Sequence, residues 1–206
     1  MPIVRYFADL AWLGDAVAQD VTIAVAGDRI ASVTPDSQRP ADSEHLPGLV
    51  IPGLVNAHSH AFHRALRGRT QVGEGTFWTW RKQMYAAAGR LSPDIYLDLA
   101  RGVFAEMTLA GITTVGEFHY LHHAPGGSHY DDANAMGIAL QQAASDAGIR
   151  MTLLDTLYLQ GGLDGRPLEE LQLRFGDGSA SNWFDRVGEM SDTLTLRVGA
   201  AVHSVR

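Results

Sequence analysis

The amino-acid sequence predicts an α/β fold with a parallel sheet, preceded by a short β-rich segment. After position 48, β-branched runs alternate with longer segments in which apolar residues recur at helical spacing, the pattern of strands joined by crossover helices. The chain has 206 residues, 46% of them hydrophobic, which is enough to bury a sizeable core and excludes a disordered chain. We therefore divide it into a β-rich segment at residues 1–48 and an α/β domain at residues 49–206.

The first two predicted features lie on either side of this boundary. Residues 20–33 predict a β-hairpin, because two β-rich runs flank the turn dipeptide Gly27-Asp28. Residues 49–57 form an almost continuous apolar run, which predicts a strand buried on both faces.

Three further strands and three helices complete the alternation. The clearest helix covers residues 93–109, with Ser92 as N-cap ahead of Pro93 and Gly111 just past the end. The other elements, in chain order, are a strand at 112–117, a helix at 131–147, a strand at 150–157, a helix at 179–190 and a strand at 194–202. The connections at 61–91 and 160–178 are long, and long loops in such folds usually carry function.

The number of elements limits the architecture. A closed barrel of eight β/α units takes about 250 residues, whereas residues 49–206 supply four strands and three helices. The sequence therefore predicts either an open sheet of about four strands or half of a larger barrel.

His58 and His60 are the strongest candidates for metal ligands. They follow the first apolar strand in the sequence Asn-Ala-His-Ser-His at 56–60, and residues two apart in an extended chain point to the same side. The carboxyl end of a parallel strand is where α/β folds place their active sites. Two neutral imidazoles there can bind one ion such as Zn²⁺.

Polar residues also follow the other strands. Glu117 and His119 end the second strand, and His203 ends the fourth. Because the carboxyl ends of parallel strands meet at one edge of the sheet, we expect these side chains to converge on the edge that carries His58 and His60.

Two groups of candidates lie in connecting segments. Arg81 follows an aromatic run at 77–80, and its guanidinium can clamp a carboxylate through two hydrogen bonds; the alternative is a packed aromatic cluster beside a solvated arginine. His122, His123 and His129 lie in a stretch rich in Gly and Pro, and we interpret them as solvated loop histidines.

The composition excludes several classes of function. The absence of cysteine excludes disulfides, thiolate metal sites and cysteine nucleophiles. A net charge of -7 without a basic run argues against nucleic acid or an anionic membrane as a partner. Because we find no apolar run of about 18 residues and no signal-peptide pattern, we expect a cytoplasmic protein without a membrane span.

The combined motifs resemble the amidohydrolase superfamily, whose members are metal-dependent hydrolases on a β/α barrel with a small β-sandwich. The resemblance rests on the β-rich start, on Pro-Gly-Leu-Val-Asn-Ala-His-Ser-His at 52–60 and on Ala-Gly-Ile-Thr-Thr-Val at 110–115. The segments that resemble the formimidoylglutamate deiminases of histidine degradation are 58–64, 77–81, 117–123 and 202–206. The resemblance covers essentially the whole chain. It implies the first half of a β/α (TIM-like) barrel preceded by a small β-sandwich segment.

The resemblance also implies roles for the matching residues. His58 and His60 would bind Zn²⁺ or another divalent metal. The substrate would be a small molecule with carboxylates, which suit arginine side chains. The residues at substrate-binding positions are Arg81, Tyr120, His203, Arg206 and His63. At the last of these the family usually has glutamine.

Part of the family's machinery is expected beyond Arg206. The family needs a third histidine ligand, a nearby glutamate, another histidine and an aspartate on later strands. We therefore expect no catalytic residue within this chain, which would be the N-terminal half of an enzyme and inactive alone. The full-length enzyme is expected to be a homodimer.

The implied reaction is zinc-dependent hydrolysis of N-formimidoyl-L-glutamate to N-formyl-L-glutamate and ammonia. Two alternatives stay open at this point. One is another deaminase of the same superfamily, acting on a purine or a related amidine. The other is a non-catalytic module that keeps the half-barrel scaffold.

Overall fold

The computed structural model describes residues 2–70 and 75–204. The chain forms two compact units, Met1–Gly53 and Leu54–Arg206, so the division falls after Gly53 rather than after position 48. The apolar run at 49–57 is the end of one strand and the start of another, not a single strand. Pro52 explains the interruption, because it lacks the N–H that a strand ladder needs.

The first unit is a four-stranded sheet. Its strands are β1 (Ile3–Trp12), β2 (Val17–Ala26), β3 (Arg29–Thr34) and β4 (Ser43–Val50). The order is β3-β2-β1-β4, in which β1 and β4 are parallel and the other pairs antiparallel. The predicted hairpin is confirmed as β2 and β3. Within residues 2–53 the strands form one sheet, as expected of a segment that is part of a sandwich.

The second unit is a parallel sheet with crossover helices, which confirms the predicted fold class. Its strands are β5 (Leu54–Ser59), β6 (Ile112–His119), β7 (Arg150–Leu157) and β8 (Leu196–Val202). They pair in that order and all run parallel. The helices are α1 (Phe77–Ala88), α2 (Pro93–Leu109), α3 (Ala135–Ala147) and α4 (Ala180–Gly188). This is the arrangement of the first half of a β/α barrel.

Helix α1 is the main element missing from the sequence prediction, which gave 61–91 as a long connection. That stretch contains a 3₁₀ turn at Ala61–Leu66 and then α1. Thr76 caps the helix: its hydroxyl accepts the Thr79 N–H, while the Thr79 hydroxyl accepts the Thr76 N–H. The capping box is hard to recognise in the sequence, because threonine replaces the usual glutamate or glutamine at its third position.

Helix α2 follows its sequence signals closely. The Ser92 hydroxyl accepts the Ile95 N–H, and Pro93 occupies the first turn, where no N–H is needed. Its buried residues, Tyr96, Ala100, Val103 and Phe104, form one face of the helix.

Helix α3 begins at Ala135 instead of 131, because Asp132 accepts the Asn134 N–H in a turn before the helix.

None of the helices in the described part of the chain is long and apolar enough to cross a membrane.

We expect Phe104→Ala to lower the free energy of unfolding by about 3–5 kcal/mol, because it leaves a cavity where a fully buried ring packs in the core. Leu109→Ala on the same helix is the matched control. Leu109 is 90% exposed, so its truncation should change stability by about 0.5 kcal/mol or less. Urea unfolding followed by circular dichroism measures both; equal losses would contradict the assigned buried face of α2.

Candidate metal and substrate site

A cavity of about 380 Å³ opens at the carboxyl ends of β5–β8. Six of the seven sequence-predicted site residues line it: His58, His60, His63, Arg81, Tyr120 and His203. The seventh, Arg206, lies outside the described residues. The structure therefore brings together side chains that are up to 145 positions apart (203 minus 58) in the chain.

His58 and His60 lie next to each other in the lining of the cavity. Their ring centroids are 5.1 Å apart and the rings are nearly perpendicular. The Asn56 side chain accepts the His58 backbone N–H at 3.1 Å, which holds the chain just before the pair. The two imidazoles can therefore turn ring nitrogens toward one point.

A hydrogen bond determines the tautomer of His60. Its Nδ1 lies 3.2 Å from the carbonyl oxygen of Phe118, which can only accept, so Nδ1 carries the proton. Burial lowers the pKa of His60 despite this bond, and the ring is neutral at pH 7. Nε2 therefore keeps its lone pair, the arrangement in which histidine binds a metal while a carbonyl holds its other nitrogen. The residues present fit a zinc ion in this respect.

His63 and Tyr120 form an uncharged pair beside the two histidines. The Nε2 of His63 and the Tyr120 hydroxyl are 2.9 Å apart. Burial, followed by the effect of His60, lowers the pKa of His63 to about 3, and burial raises the pKa of Tyr120. The pair can exchange donor and acceptor roles toward a ligand without carrying charge.

Arg81 lies on α1 and supplies positive charge to the cavity wall. Its Nε and Nη2 donate to the Tyr85 hydroxyl at 3.0 and 2.7 Å, and its guanidinium carbon is 5.0 Å from the centre of the Tyr85 ring. In the part of the chain that the structure describes, no ion pair joins Arg81 to a carboxylate. The arrangement suits an incoming carboxylate.

The remaining wall of the cavity is aromatic and apolar. The His203 ring is 4.1 Å from the Tyr158 ring and 5.2 Å from the Tyr120 ring, measured between centroids. Phe77 and Trp80 of the aromatic run at 77–80 line the cavity, and so do residues that the sequence did not single out: Met84, Tyr85, Tyr158 and Phe175. Their signal was weak, because apolar residues after a strand or on a helix are usually part of a core.

Glu117 and His119 do not reach the cavity, which corrects the prediction that they converge on it. Gly116, Phe118 and Tyr120 line the cavity, so the residues between them point to the opposite face of β6. Glu117 and His119 are buried there, at 0% and 1% exposure. Burial holds the pKa of Glu117 at about 7 and that of His119 at about 3.

His122 and His123 are also buried, so their interpretation as solvated loop histidines is wrong. Their backbone N–H groups both donate to the carbonyl oxygen of Arg174, and the Arg174 side chain donates to the carbonyl oxygen of His123. His129 is exposed, as expected, and stacks on His123. The 160–178 connection thus packs against this segment through Arg174.

A buried ion network lies behind the sheet. The Arg186 guanidinium donates to Asp155 at 2.9 and 3.0 Å and to Asp177 at 2.7 and 3.1 Å. Burial alone would raise the pKa of Asp155, but His122 and Arg186 outweigh it and hold the pKa at about 2. The same effects, with His123 in place of His122 as the strongest contributor, lower the pKa of Asp177.

Two groups around this network have the composition of a metal site. Donor atoms lie within 4.8 Å of one another in His119, His122 and Asp155, and likewise in His123, His129 and Asp177. Both carboxylate oxygens of Asp155 already accept from Arg186, and one also accepts from Trp183. The cation that balances Asp155 is therefore the guanidinium.

Comparison with known proteins identifies the family. Residues 49–201 match the model of the Amidohydrolase family, and the chain belongs to that family. Over 206 aligned residues it is 38% identical to the formimidoylglutamate deiminase of Pseudomonas aeruginosa, covering 97% of this chain and 45% of that protein.

Two further relatives extend the comparison. The chain is 35% identical to an 8-oxoguanine deaminase of Pseudomonas aeruginosa over 114 residues, covering 51% of this chain and 24% of that protein. Among solved structures, an amidohydrolase from Brucella melitensis superposes with a TM-score of 0.84 at 31% identity, covering 98% of this chain and 46% of that one. The chain spans at most about half the length of these relatives.

We expect acid to weaken the ion network between about pH 4 and pH 2. Because the pKa of Asp155 is about 2 in the folded state, below its ordinary value of 3.8, its charged form stabilises the fold above pH 4. This contribution, about 2 kcal/mol for Asp155, is lost as the pH falls through that window. The free energy of unfolding of Asp155→Asn should depend less steeply on pH over the same range than that of the unsubstituted protein. Parallel curves for the two proteins would contradict the assignment.

Proposed function

We propose that the protein contributes this cavity to a metal-dependent hydrolase that converts N-formimidoyl-L-glutamate and water to N-formyl-L-glutamate and ammonia. The observation that carries the proposal is the presence of paired imidazoles and one arginine on the walls of a single, largely aromatic cavity. The 38% identity to a formimidoylglutamate deiminase over nearly the whole chain supports the same substrate.

Zn²⁺ is the metal that we propose, held by His58 and His60 together with ligands from the rest of the full-length protein. Imidazole nitrogen suits zinc, and a catalytic zinc ion has about three protein ligands. When bound, such an ion polarises the substrate and lowers the pKa of a water molecule. The Nε2 lone pair of His60, left available by the bond from Nδ1 to Phe118, supports this assignment.

The chain's own residues bind and orient the substrate in this proposal. Arg81 binds one carboxylate of the glutamate moiety, for which its planar guanidinium is suited. The His63–Tyr120 pair hydrogen-bonds to the polar backbone of the substrate without adding charge. The aromatic walls exclude water around the formimino group, which strengthens every electrostatic interaction in the cavity.

The proposed reaction balances without a redox partner. The oxygen of a water molecule bonds to the formimino carbon, and the bond from that carbon to the terminal nitrogen breaks. The nitrogen leaves as ammonia with the protons of the water, and the carbon becomes a formyl group. We expect the residue that moves these protons to lie in the rest of the full-length protein.

A second candidate is the deamination of a purine, which the aromatic wall favours. Trp80, Tyr85 and Tyr158 line the cavity and would stack on a planar base. The 35% identity to an 8-oxoguanine deaminase over half of the chain supports this alternative. Arg81 separates the two candidates, because a neutral base has no carboxylate for it to bind.

We expect the full-length protein to release one ammonia per N-formimidoyl-L-glutamate consumed. Arg81→Ala should lower kcat/KM by about 10- to 100-fold, because it removes a charge-assisted hydrogen bond to the substrate. Arg90→Ala is the control, since Arg90 is exposed and does not line the cavity. Coupled measurement of ammonia release determines both values. Activity on a purine that is unchanged in Arg81→Ala would favour the second candidate.

We expect His58→Ala to lose bound zinc and ammonia release together, because one of the two ligands from this chain is removed. The zinc content after dialysis, measured by mass spectrometry of the metal, should fall well below one ion per chain. His45→Ala serves as the control, because His45 belongs to the first unit and pairs with Asp9. Full zinc content in His58→Ala would remove His58 from the ligand set.

A further inference from the structure

Glu117 is a buried carboxylate that the proposed chemistry does not use. It lies in β6 at 0% exposure, on the face opposite the cavity. Its Oε1 accepts the backbone N–H of Ala61 at 2.6 Å, and the Ser59 hydroxyl also donates to the carboxylate. Glu117 therefore holds the residues immediately before and after His60.

The sheet ladder holds this part of the backbone only at Ser59, which pairs with Glu117. The register between β5 and β6 shifts between Asn56 and Ser59, so the stretch that carries His58 lacks regular pairing. His60 then leads into the 3₁₀ turn at Ala61–Leu66 without a side-chain cap of its own. The first N–H of that turn needs an acceptor, and the Glu117 carboxylate provides it from the neighbouring strand.

Stability alone does not explain the residue. Its Oε2 has no hydrogen-bond partner among the described residues. No lysine or arginine of the described part of the chain forms an ion pair with the carboxylate. A buried carboxylate in that situation costs stability, and an apolar side chain of similar size often stabilises a fold more.

A second contact from the same strand acts on the ring of His60. The Phe118 carbonyl accepts the Nδ1 proton of His60, while Glu117 holds the backbone on both sides of that residue. Two successive residues of β6 thus act on one imidazole, one through the main chain and one through a side chain. Partners of metal ligands act in this way when they orient a ligand and raise its affinity.

We propose that Glu117 is a positioning residue for the metal site: by holding Ser59 and Ala61, it directs the His60 ring to the point that His58 also reaches. The inference rests on the metal assignment in the proposed function, but not on the identity of the substrate.

The test is the zinc dissociation constant of the full-length protein, measured by competition with a chelator and without substrate. Glu117→Leu keeps most of the volume and removes the acceptor, and it should weaken zinc binding by about 10- to 100-fold. Glu117→Gln retains an oxygen that can accept from Ala61 and should stay within about threefold of the unsubstituted protein.

Two further variants separate positioning from a loss of folding. Ser59→Ala removes one of the two contacts with little change in volume and should weaken zinc binding about threefold or more. Asp155→Asn is the matched control: it alters a buried carboxylate on the adjacent strand that does not contact 59–61, so it should lower stability and leave zinc affinity unchanged. Circular dichroism confirms that each variant is folded at the assay temperature.

Unchanged zinc affinity in folded Glu117→Leu would overturn the inference and leave the proposed reaction intact. If Glu117→Leu does not fold, unchanged affinity in Ser59→Ala decides against it in the same way. Conversely, an unsubstituted full-length protein that releases no ammonia from N-formimidoyl-L-glutamate would reject the proposed substrate. Weaker zinc binding by Glu117→Leu in that case would still support the positioning role of Glu117.

Discussion

The alternation of side chains along β6 is the constraint on which the site depends. Because successive residues of a strand point to opposite faces, Phe118 and Tyr120 face the cavity while Glu117 and His119 face the helices. One strand therefore supplies a wall of the cavity and, from its other face, the carboxylate that holds the turn after β5. A one-residue shift in the register of β6 would reverse both sets at once.

Buried charged groups on the helix-facing side of the sheet are stabilised in two different ways. Around Arg186, opposite charges meet: two aspartates share one guanidinium, and each carboxylate is stabilised in its charged form. Such a network can be buried because its members compensate one another. Glu117 has no such partner among the described residues and relies on hydrogen bonds from Ser59 and Ala61. The first arrangement joins α4 to β7, whereas the second holds a short segment of backbone beside the cavity.

The sequence predicts an element correctly where its local signals agree with the fold. It fails where the burial of a residue depends on a contact with a distant part of the chain. Helix α2 has an N-cap, a proline and a periodic apolar face, so its bounds are predicted correctly. The paired histidines were found because strand geometry alone places them on one side. The burial of His122 and His123 could not be predicted, because it depends on Arg174, about fifty positions later in the chain. The prediction also treated strand ends as equivalent, although alternation sends His119 away from the cavity.

The spacing of the two histidine rings fits the proposed zinc ion. Two imidazoles bound to one tetrahedral zinc ion through nitrogens about 2.0–2.1 Å away have ring centroids about 5 Å apart, and the centroids of His58 and His60 are 5.1 Å apart. Each side-chain rotation that stays free before the ion binds would lower the affinity through its entropy. The ring of His60 is hydrogen-bonded to Phe118, and its flanking residues are hydrogen-bonded to Glu117. His60 would therefore lose little conformational entropy when it binds an ion. In the proposed site, the affinity for zinc would then depend on how firmly β6 holds His60.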